Sequence, residues 1–167
     1  MTFPFNTVAD FPNLVLNTFD ETKLESLILE TEKQEVRRIL SDKAYVDILA
    51  DTSDAKYTEL VEGVTYTDSS GDTKVNDGLK KVLQKFIEAL WNETQYKRGV
   101  TGRSKNENDN TEPAADNVNT SLFAKKYNEG IRIYCTDVVP FIVEKTNEAG
   151  YEGYEDFNLP LINNVLF

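Results

Sequence analysis

Residues 75–98, VNDGLKKVLQKFIEALWNETQYKR, carry the clearest helical pattern in the chain. Apolar side chains recur there at intervals of three and four, which places them on one side of a helix of about 3.6 residues per turn. They are Val75, Leu79, Val82, Leu83, Phe86, Ile87, Leu90 and Trp91. So wide a stripe must be covered by other elements, and the pattern therefore predicts a central helix within a helical core.

Two helices are predicted before this central one. Asp20 suits an N-cap, and the apolar spacing behind it, with a polar gap in the middle, predicts a helix over residues 21–40. Ser41 offers a fresh cap for a short helix that ends near Ala50.

A β-hairpin is predicted between the short helices and the central one. Residues 56–62 suit one or two helical turns that end at Gly63. The polar run TDSSGDT then separates two short apolar segments, and Gly71 within it can adopt the positive φ of a tight turn.

A second long helix is predicted over residues 117–149, with an apolar stripe of its own. Pro140 should interrupt it, because its ring would clash with the carbonyl of Thr136. Cys135, the one cysteine, cannot form an internal disulfide and is expected in the core.

Residues 99–117, between the two long helices, are rich in glycine and polar residues and predict a long loop. A cluster of four basic residues lies just before and within this segment: Lys97, Arg98, Arg103 and Lys105. They form either a basic loop that faces a partner or an ordinary solvated loop, since glycines and acidic residues interrupt them.

Both ends of the chain are apolar but lack a helical or strand period, so they predict extended arms over residues 1–19 and 150–167. Each arm either packs on its own domain or contacts a neighbouring subunit. The candidate contact residues are Phe3, Phe5, Phe11, Tyr151, Tyr154, Phe157, Leu159, Leu161, Ile162, Leu166 and Phe167. The predicted fold is mainly α: a small helical bundle (residues 20–149) with two long helices, one hairpin-like insertion and two arms.

Composition limits the classes of function. The chain has 167 residues, of which 40% are hydrophobic, so one domain is expected. A net charge of −11 argues against a protein that grips nucleic acid, and suits either ordinary solubility or a surface past which DNA slides. The sequence has no apolar run long enough for a membrane span and no signal-peptide pattern, so we expect a soluble protein without membrane association.

Histidine is absent, which excludes Ser-His-Asp and Cys-His catalysis and histidine zinc sites. No phosphate-binding or dinucleotide-binding motif is present, and the acidic run at residues 68–72 lacks the spacing of a calcium loop. We therefore predict a structural or binding protein, not an enzyme, with no cofactor or metal. The many carboxylates leave a metal-dependent hydrolase open as an alternative.

The order of features over residues 20–145 resembles the head-to-tail connector (adaptor) proteins of tailed bacteriophages, in particular the neck ring proteins of crAss-like and related Bacteroidetes phages. The residues that carry the resemblance include a Y-x-x-L-V-x-G segment and glycines around the hairpin and loop. They are Tyr57, Leu60, Val61, Gly63, Tyr66, Gly71, Gly78, Leu79, Thr101 and Gly102.

The resemblance implies a homo-oligomeric ring of twelve copies in the virion neck, assembled in the host cytoplasm. Such a ring would lie beneath the portal protein, meet other neck or tail proteins, and let DNA pass during ejection without binding it specifically. It implies no catalysis and no transferable site residues, but terminal extensions that reach adjacent subunits or the portal. A tail terminator or a capsid-stabilising protein is an alternative virion role.

Overall fold

The computed structural model describes residues 3–14, 18–51, 54–102, 114–145 and 154, and within these ranges the side chains of residues 18–20, 95–102 and 114–121 are not described. The described part is mainly helical with one two-stranded antiparallel hairpin, which confirms the predicted fold class. Its elements are a 3₁₀ turn Val8–Asp10, α1 Thr18–Ile39, α2 Asp42–Ala50, α3 Ala55–Glu62, β1 Val64–Thr67, β2 Thr73–Asn76, α4 Leu79–Gly102, α5 Ala114–Ile133, a π-helical turn Tyr134–Val138 and α6 Val139–Lys145.

Helix α4 lies at the centre of the core, between α5 and α1. Its register against α5 is antiparallel, because Lys85 lies near Glu129 (Nζ to Oε2, 3.7 Å) while Glu88, further along α4, meets Lys126 (2.8 Å). The predicted stripe is buried apart from two members. Leu90 is half-buried, and Val75 belongs to β2.

The prediction that Val75 belongs to the central helix is wrong, because its side chain is 58% exposed and the helix begins at Leu79. The chain turns at Gly78, whose φ is +86°, and the Gly78 N–H donates to Asn76 Oδ1 (3.0 Å). The left-handed conformation of Gly78, together with the hydrogen bond from its amide to the Asn76 side chain, prevents the helix from beginning before Leu79.

Aromatic side chains fill the contact between α4 and α5. The Phe86 ring stacks on Tyr127 with 4.5 Å between ring centroids. The Arg38 guanidinium of α1 lies 5.8 Å from the Phe86 centroid and also donates to the Tyr127 hydroxyl. Gly130 allows this approach, because a Cβ at that position would lie 2.7 Å from Phe86 Cε1.

The second long helix contains a π-helical turn directly before Pro140, where the sequence predicted an interruption. The Val139 N–H donates to the carbonyl of Tyr134, one residue further back than in an α-helix. A widened turn suits this position, because Pro140 has no N–H to donate and its ring crowds the preceding turn. Tyr134 fills the buried position there, and Cys135 is half-buried and packs against the main core, so the predicted core cysteine lies at the edge of the core.

The predicted loop over residues 99–117 is shorter in the structure. Residues 99–102 continue α4 and residues 114–117 begin α5. A glycine or threonine inside a helix costs only about 0.5–1 kcal/mol, so these residues do not end a helix by themselves. The remainder of the predicted loop lies outside the described residues, as does the predicted helix end at residue 150.

Candidate functional site

The N-terminal arm lies on its own protomer over residues 3–14. Phe5 joins the main core, and Phe3 packs edge-on against Phe5 and against Tyr45 of α2, with centroid distances of 5.4 and 5.9 Å. Phe11 is 3% exposed and shares a second apolar cluster with Trp91 and two residues of α1. Of the two predicted alternatives, the structure shows this part of the arm packed on its own domain. Phe5 and Phe11 therefore have little exposed surface with which to contact another subunit.

A buried carboxylate anchors the arm to α1. The two oxygens of Glu32 accept three hydrogen bonds, from Phe5 N (2.6 Å), Asn6 N (2.9 Å) and Asn6 Nδ2 (2.7 Å). Both Glu32 and Asn6 are fully buried. Burial raises the pKa of Glu32, although the donors from Asn6 and Phe5 and the charge of Lys80 act in the opposite direction. We name this arrangement the Glu32 clamp.

Sequence reasoning missed the Glu32 clamp, although one signal of it was present. The apolar stripe of α1 has a polar gap at Thr31 and Glu35, and Glu32 lies within this gap; Thr31 and Glu32 are both buried. A gap of this kind predicts that something polar covers the helix, but it does not indicate that the partner is the backbone at residues 5–6, more than twenty positions away.

Replacing Glu32 by alanine is expected to release the arm and to lower the unfolding free energy by about 2–3 kcal/mol, because three buried donors lose their acceptor. Once the arm is released, water can bind those donors. The unfolding free energy therefore cannot fall by more than the free energy with which the arm binds the rest of the domain. Trp91 is the only tryptophan and shares a cluster with Phe11, so its fluorescence should shift to the red. Glu30→Ala, at an exposed site of the same helix, is the control. Unchanged Trp91 emission and stability in Glu32→Ala would contradict the clamp.

Stability should depend on pH through Glu32. Its folded pKa lies above the ordinary value of 4.5, so the folded state holds the proton more tightly, and stability from this group falls as pH rises through the folded pKa. Glu32→Gln does not titrate at this site. The stability of wild type relative to Glu32→Gln should therefore be highest at and below about pH 4.5 and fall as the pH rises toward neutrality, as measured by urea unfolding at a series of pH values. The other titrating groups, including the nearby Asp10 and Lys80, are common to both proteins. A stability of wild type relative to Glu32→Gln that rises with pH would refute this assignment.

Tyr154 is the one described residue of the C-terminal arm, and it is fully buried. Its hydroxyl lies 3.3 Å from both Asp47 Oδ2 and Tyr57 Oη, and Lys43 Nζ lies 5.1 Å from the ring centroid. The tyrosine therefore fixes this point of the arm to α2 and α3 of its own protomer. The other candidate contact residues of this arm lie outside the described residues, and their role at a subunit or portal interface stays a prediction: Tyr151, Phe157, Leu159, Leu161, Ile162, Leu166 and Phe167.

The basic cluster is not wholly in a loop. Lys97 and Arg98 belong to α4, in its part furthest from the hairpin. Arg103 and Lys105 follow the end of that helix and lie outside the described residues. Lys97 and Arg98 were predicted just before the loop, and α4 extends beyond them to Gly102. The partner-facing role of all four residues stays a prediction.

Two adjoining clefts follow the π-helical turn on the surface. The larger, which we call the hairpin cleft, has a volume of about 590 Å³ and separates the hairpin from the π-helical turn and α6. The smaller has a volume of about 330 Å³ and lies between the start of α4 and the end of α5. Thr136 and Asp137 line both. The other residues of the hairpin cleft are Tyr66, Asp68, Thr73, Lys74, Val75, Pro140 and Glu144.

The hairpin cleft is acidic. Asp68, Asp137 and Glu144 face Lys74, which is already 3.6 Å from both Asp68 and the neighbouring Asp72. Burial raises the pKa of the Tyr66 hydroxyl, and the three carboxylates raise it further against the opposing effect of Lys74. Sequence reasoning treated residues 68–72 only as a turn and did not predict this cleft, because its second wall comes from residues 136–144.

Comparison with family models, with curated proteins and with solved structures finds no match to this chain. Among the described residues, no three acidic or thiol side chains lie close enough together to hold a metal ion. No helix in the same part of the chain is long and apolar enough to cross a membrane.

Proposed function

We propose that this protein is a structural component of a phage virion that forms a ring in the neck, joins the portal to the tail and continues the DNA channel. The observation that carries the proposal is the position of the residues on which the resemblance depends. Tyr57, Leu60 and Val61 are buried in α3, and Gly63 and Gly78 face each other where the hairpin leaves the helices. These residues form one structural unit, the junction of α3, the hairpin and α4.

The shape of the frame also supports assembly by repeated contacts. Because α4 and α5 are long and antiparallel, the hairpin and the last residues of α4 lie at opposite ends of the frame. In a ring, one surface of each subunit binds a different surface of the next subunit. The two distant ends of the frame can provide two separate surfaces of this kind. The net charge of −11 suits a channel that does not retain DNA.

Light scattering and negative-stain electron microscopy of the purified full chain, over a range of concentrations, test the proposal. The expected result is rings of uniform diameter whose mass approaches twelve times the 19.0 kDa of the chain. A compact monomer at every concentration would contradict the ring.

Shortening the chain tests the C-terminal arm separately. Tyr154 belongs to the core, so the informative variant ends after Glu155, which keeps that anchor in place. We expect this variant to fold with the circular dichroism and thermal stability of the full chain and to lose ring assembly. Unchanged assembly would show that residues 156–167 do not join subunits.

A further inference from the structure

The described residues of the protomer leave the hairpin cleft unfilled. Its lining includes apolar groups, among them Tyr66, whose ring packs on Phe141 (5.2 Å between centroids), and Val75, which is 58% exposed. Pro140 is exposed on the opposite wall. Val75 and Pro140 therefore give the cleft, of about 590 Å³, apolar surface that a partner segment can cover.

The charges of the cleft select a basic occupant. Asp68, Asp137 and Glu144 outnumber the single Lys74. Glu144 accepts only a long hydrogen bond from Ser69 (3.4 Å), and within the described residues Asp137 has no ion pair. The cleft therefore presents an excess of negative charge beside the apolar side chains Val75 and Pro140.

Cations of the same protomer do not neutralise this excess in the described part of the chain. In the neighbouring cleft, Lys81 pairs with Asp77, Lys85 lies 3.7 Å from Glu129, and Arg132 forms no ion pair with Asp137.

The backbone at Lys97 lies far from the hairpin cleft of its own protomer. Lys97 follows the first residue of α4 by eighteen positions, which is about 27 Å along a helix. Val75 lines the cleft four residues before α4 begins, so the helix leads from the cleft to the other end of the frame, where Lys97 and Arg98 lie.

We propose that the hairpin cleft receives the basic segment 97–105 of a second copy of this chain. Four cations within nine residues, Lys97, Arg98, Arg103 and Lys105, complement the carboxylates of the cleft. The cleft and the part of α4 that carries Lys97 and Arg98 are different surfaces at opposite ends of the subunit, so the contact is heterologous and repeats around a ring or along a filament. This inference rests on the proposed ring and assigns one of its interfaces.

A pair of charge-reversed variants of the full chain tests the contact. The first variant, Asp137→Lys with Glu144→Lys, reverses the cleft, and the second, Lys97→Glu with Arg98→Glu, reverses the segment. Each alone places like charges together, so its apparent association constant should fall by about tenfold or more. An equimolar mixture should assemble again, because each reversed surface meets its complement in a ring of alternating subunits.

Matched controls separate this contact from general charge effects. Glu25→Lys with Glu30→Lys changes the net charge by as much as the cleft variant does, on exposed positions of α1, and should assemble as wild type. Circular dichroism and thermal unfolding confirm that each variant folds. A zero-length carbodiimide applied to mixed ¹⁴N and ¹⁵N protein should join Lys97 or Lys105 of one copy to Asp137 or Glu144 of another.

The outcomes distinguish this inference from the ring itself. If wild type forms rings and both reversed variants do so equally well, or if the mixture of folded variants stays unassembled, the cleft contact is overturned while the ring stands. If wild type does not assemble, both fail. Restored assembly in the mixture, together with the isotope-mixed cross-links, establishes the contact.

Discussion

Gly78→Ala is expected to lower the unfolding free energy by about 3–5 kcal/mol, whereas Gly71→Ala should lower it by only about 1–2 kcal/mol. The two glycines share the same φ of +86°, so both changes carry the strain of a left-handed alanine. At Gly71 a Cβ meets nothing within 4 Å. At Gly78 it would lie 2.5 Å from the carbonyl oxygen of Val61 and 2.7 Å from the backbone nitrogen of Gly63. Backbone atoms at both ends of the hairpin would then have to separate.

Urea unfolding of the two variants beside wild type measures this difference, with circular dichroism as the probe. Gly71→Ala is the matched control, because it introduces the strain of a positive φ without a steric clash. Equal losses of unfolding free energy in the two variants would mean that Gly78 does not lie in close contact with the backbone of residues 61–63 at the base of the hairpin. The difference also bears on the proposed function, since Gly63 and Gly78 are among the residues that carry the resemblance to the neck ring proteins.

Phe86→Ala is expected to lower the unfolding free energy by about 3–5 kcal/mol, the usual range for a buried phenylalanine. The ring is fully buried, stacks on Tyr127 and lies beneath the Arg38 guanidinium, so its removal leaves a cavity between three helices. Val143→Ala, at a side chain that is 55% exposed, should change the unfolding free energy by less than about 0.5 kcal/mol and serves as control.

A double-mutant cycle sharpens the Phe86 prediction. In wild type, Gly130→Ala should destabilise the protein, because its Cβ would lie 2.7 Å from Phe86 Cε1. In the Phe86→Ala background the clash is absent and the new methyl group occupies part of the cavity, so Gly130→Ala should become neutral or stabilising. Additive effects of the two changes, within about 0.5 kcal/mol, would refute the close contact of α4 and α5.

Features that depend on neighbours in the chain were predictable. Ser41 caps α2 by accepting from the Ala44 N–H (3.1 Å), as expected, and Gly63 follows the end of α3 with a φ of +94°. Gly71 lies in the hairpin turn with positive φ. Each of these signals acts over a few residues, through a side chain that satisfies a nearby amide or a backbone that accepts a left-handed residue.

Periodicity was a reliable guide to the core but not to its edges. The stripe of α4 correctly predicted the burial of Phe86 and Trp91, yet it extended through Val75 into what is a strand. On α5, Leu122 belongs to the apolar stripe but is 37% exposed. An apolar pattern marks what can be buried, whereas the neighbouring elements determine how far the burial reaches.

The sequence by itself determined the helical class, the hairpin, the starts of α2 and α3 and the absence of histidine chemistry, because these follow from local spacing and composition. Only the tertiary structure decided that Glu32 holds the N-terminal arm, that Tyr154 closes over α2 and α3, and that the hairpin and the π-helical turn enclose an acidic cleft. Each of these features joins residues that are tens of positions apart. Their partners depend on how whole helices pack, which no local pattern specifies.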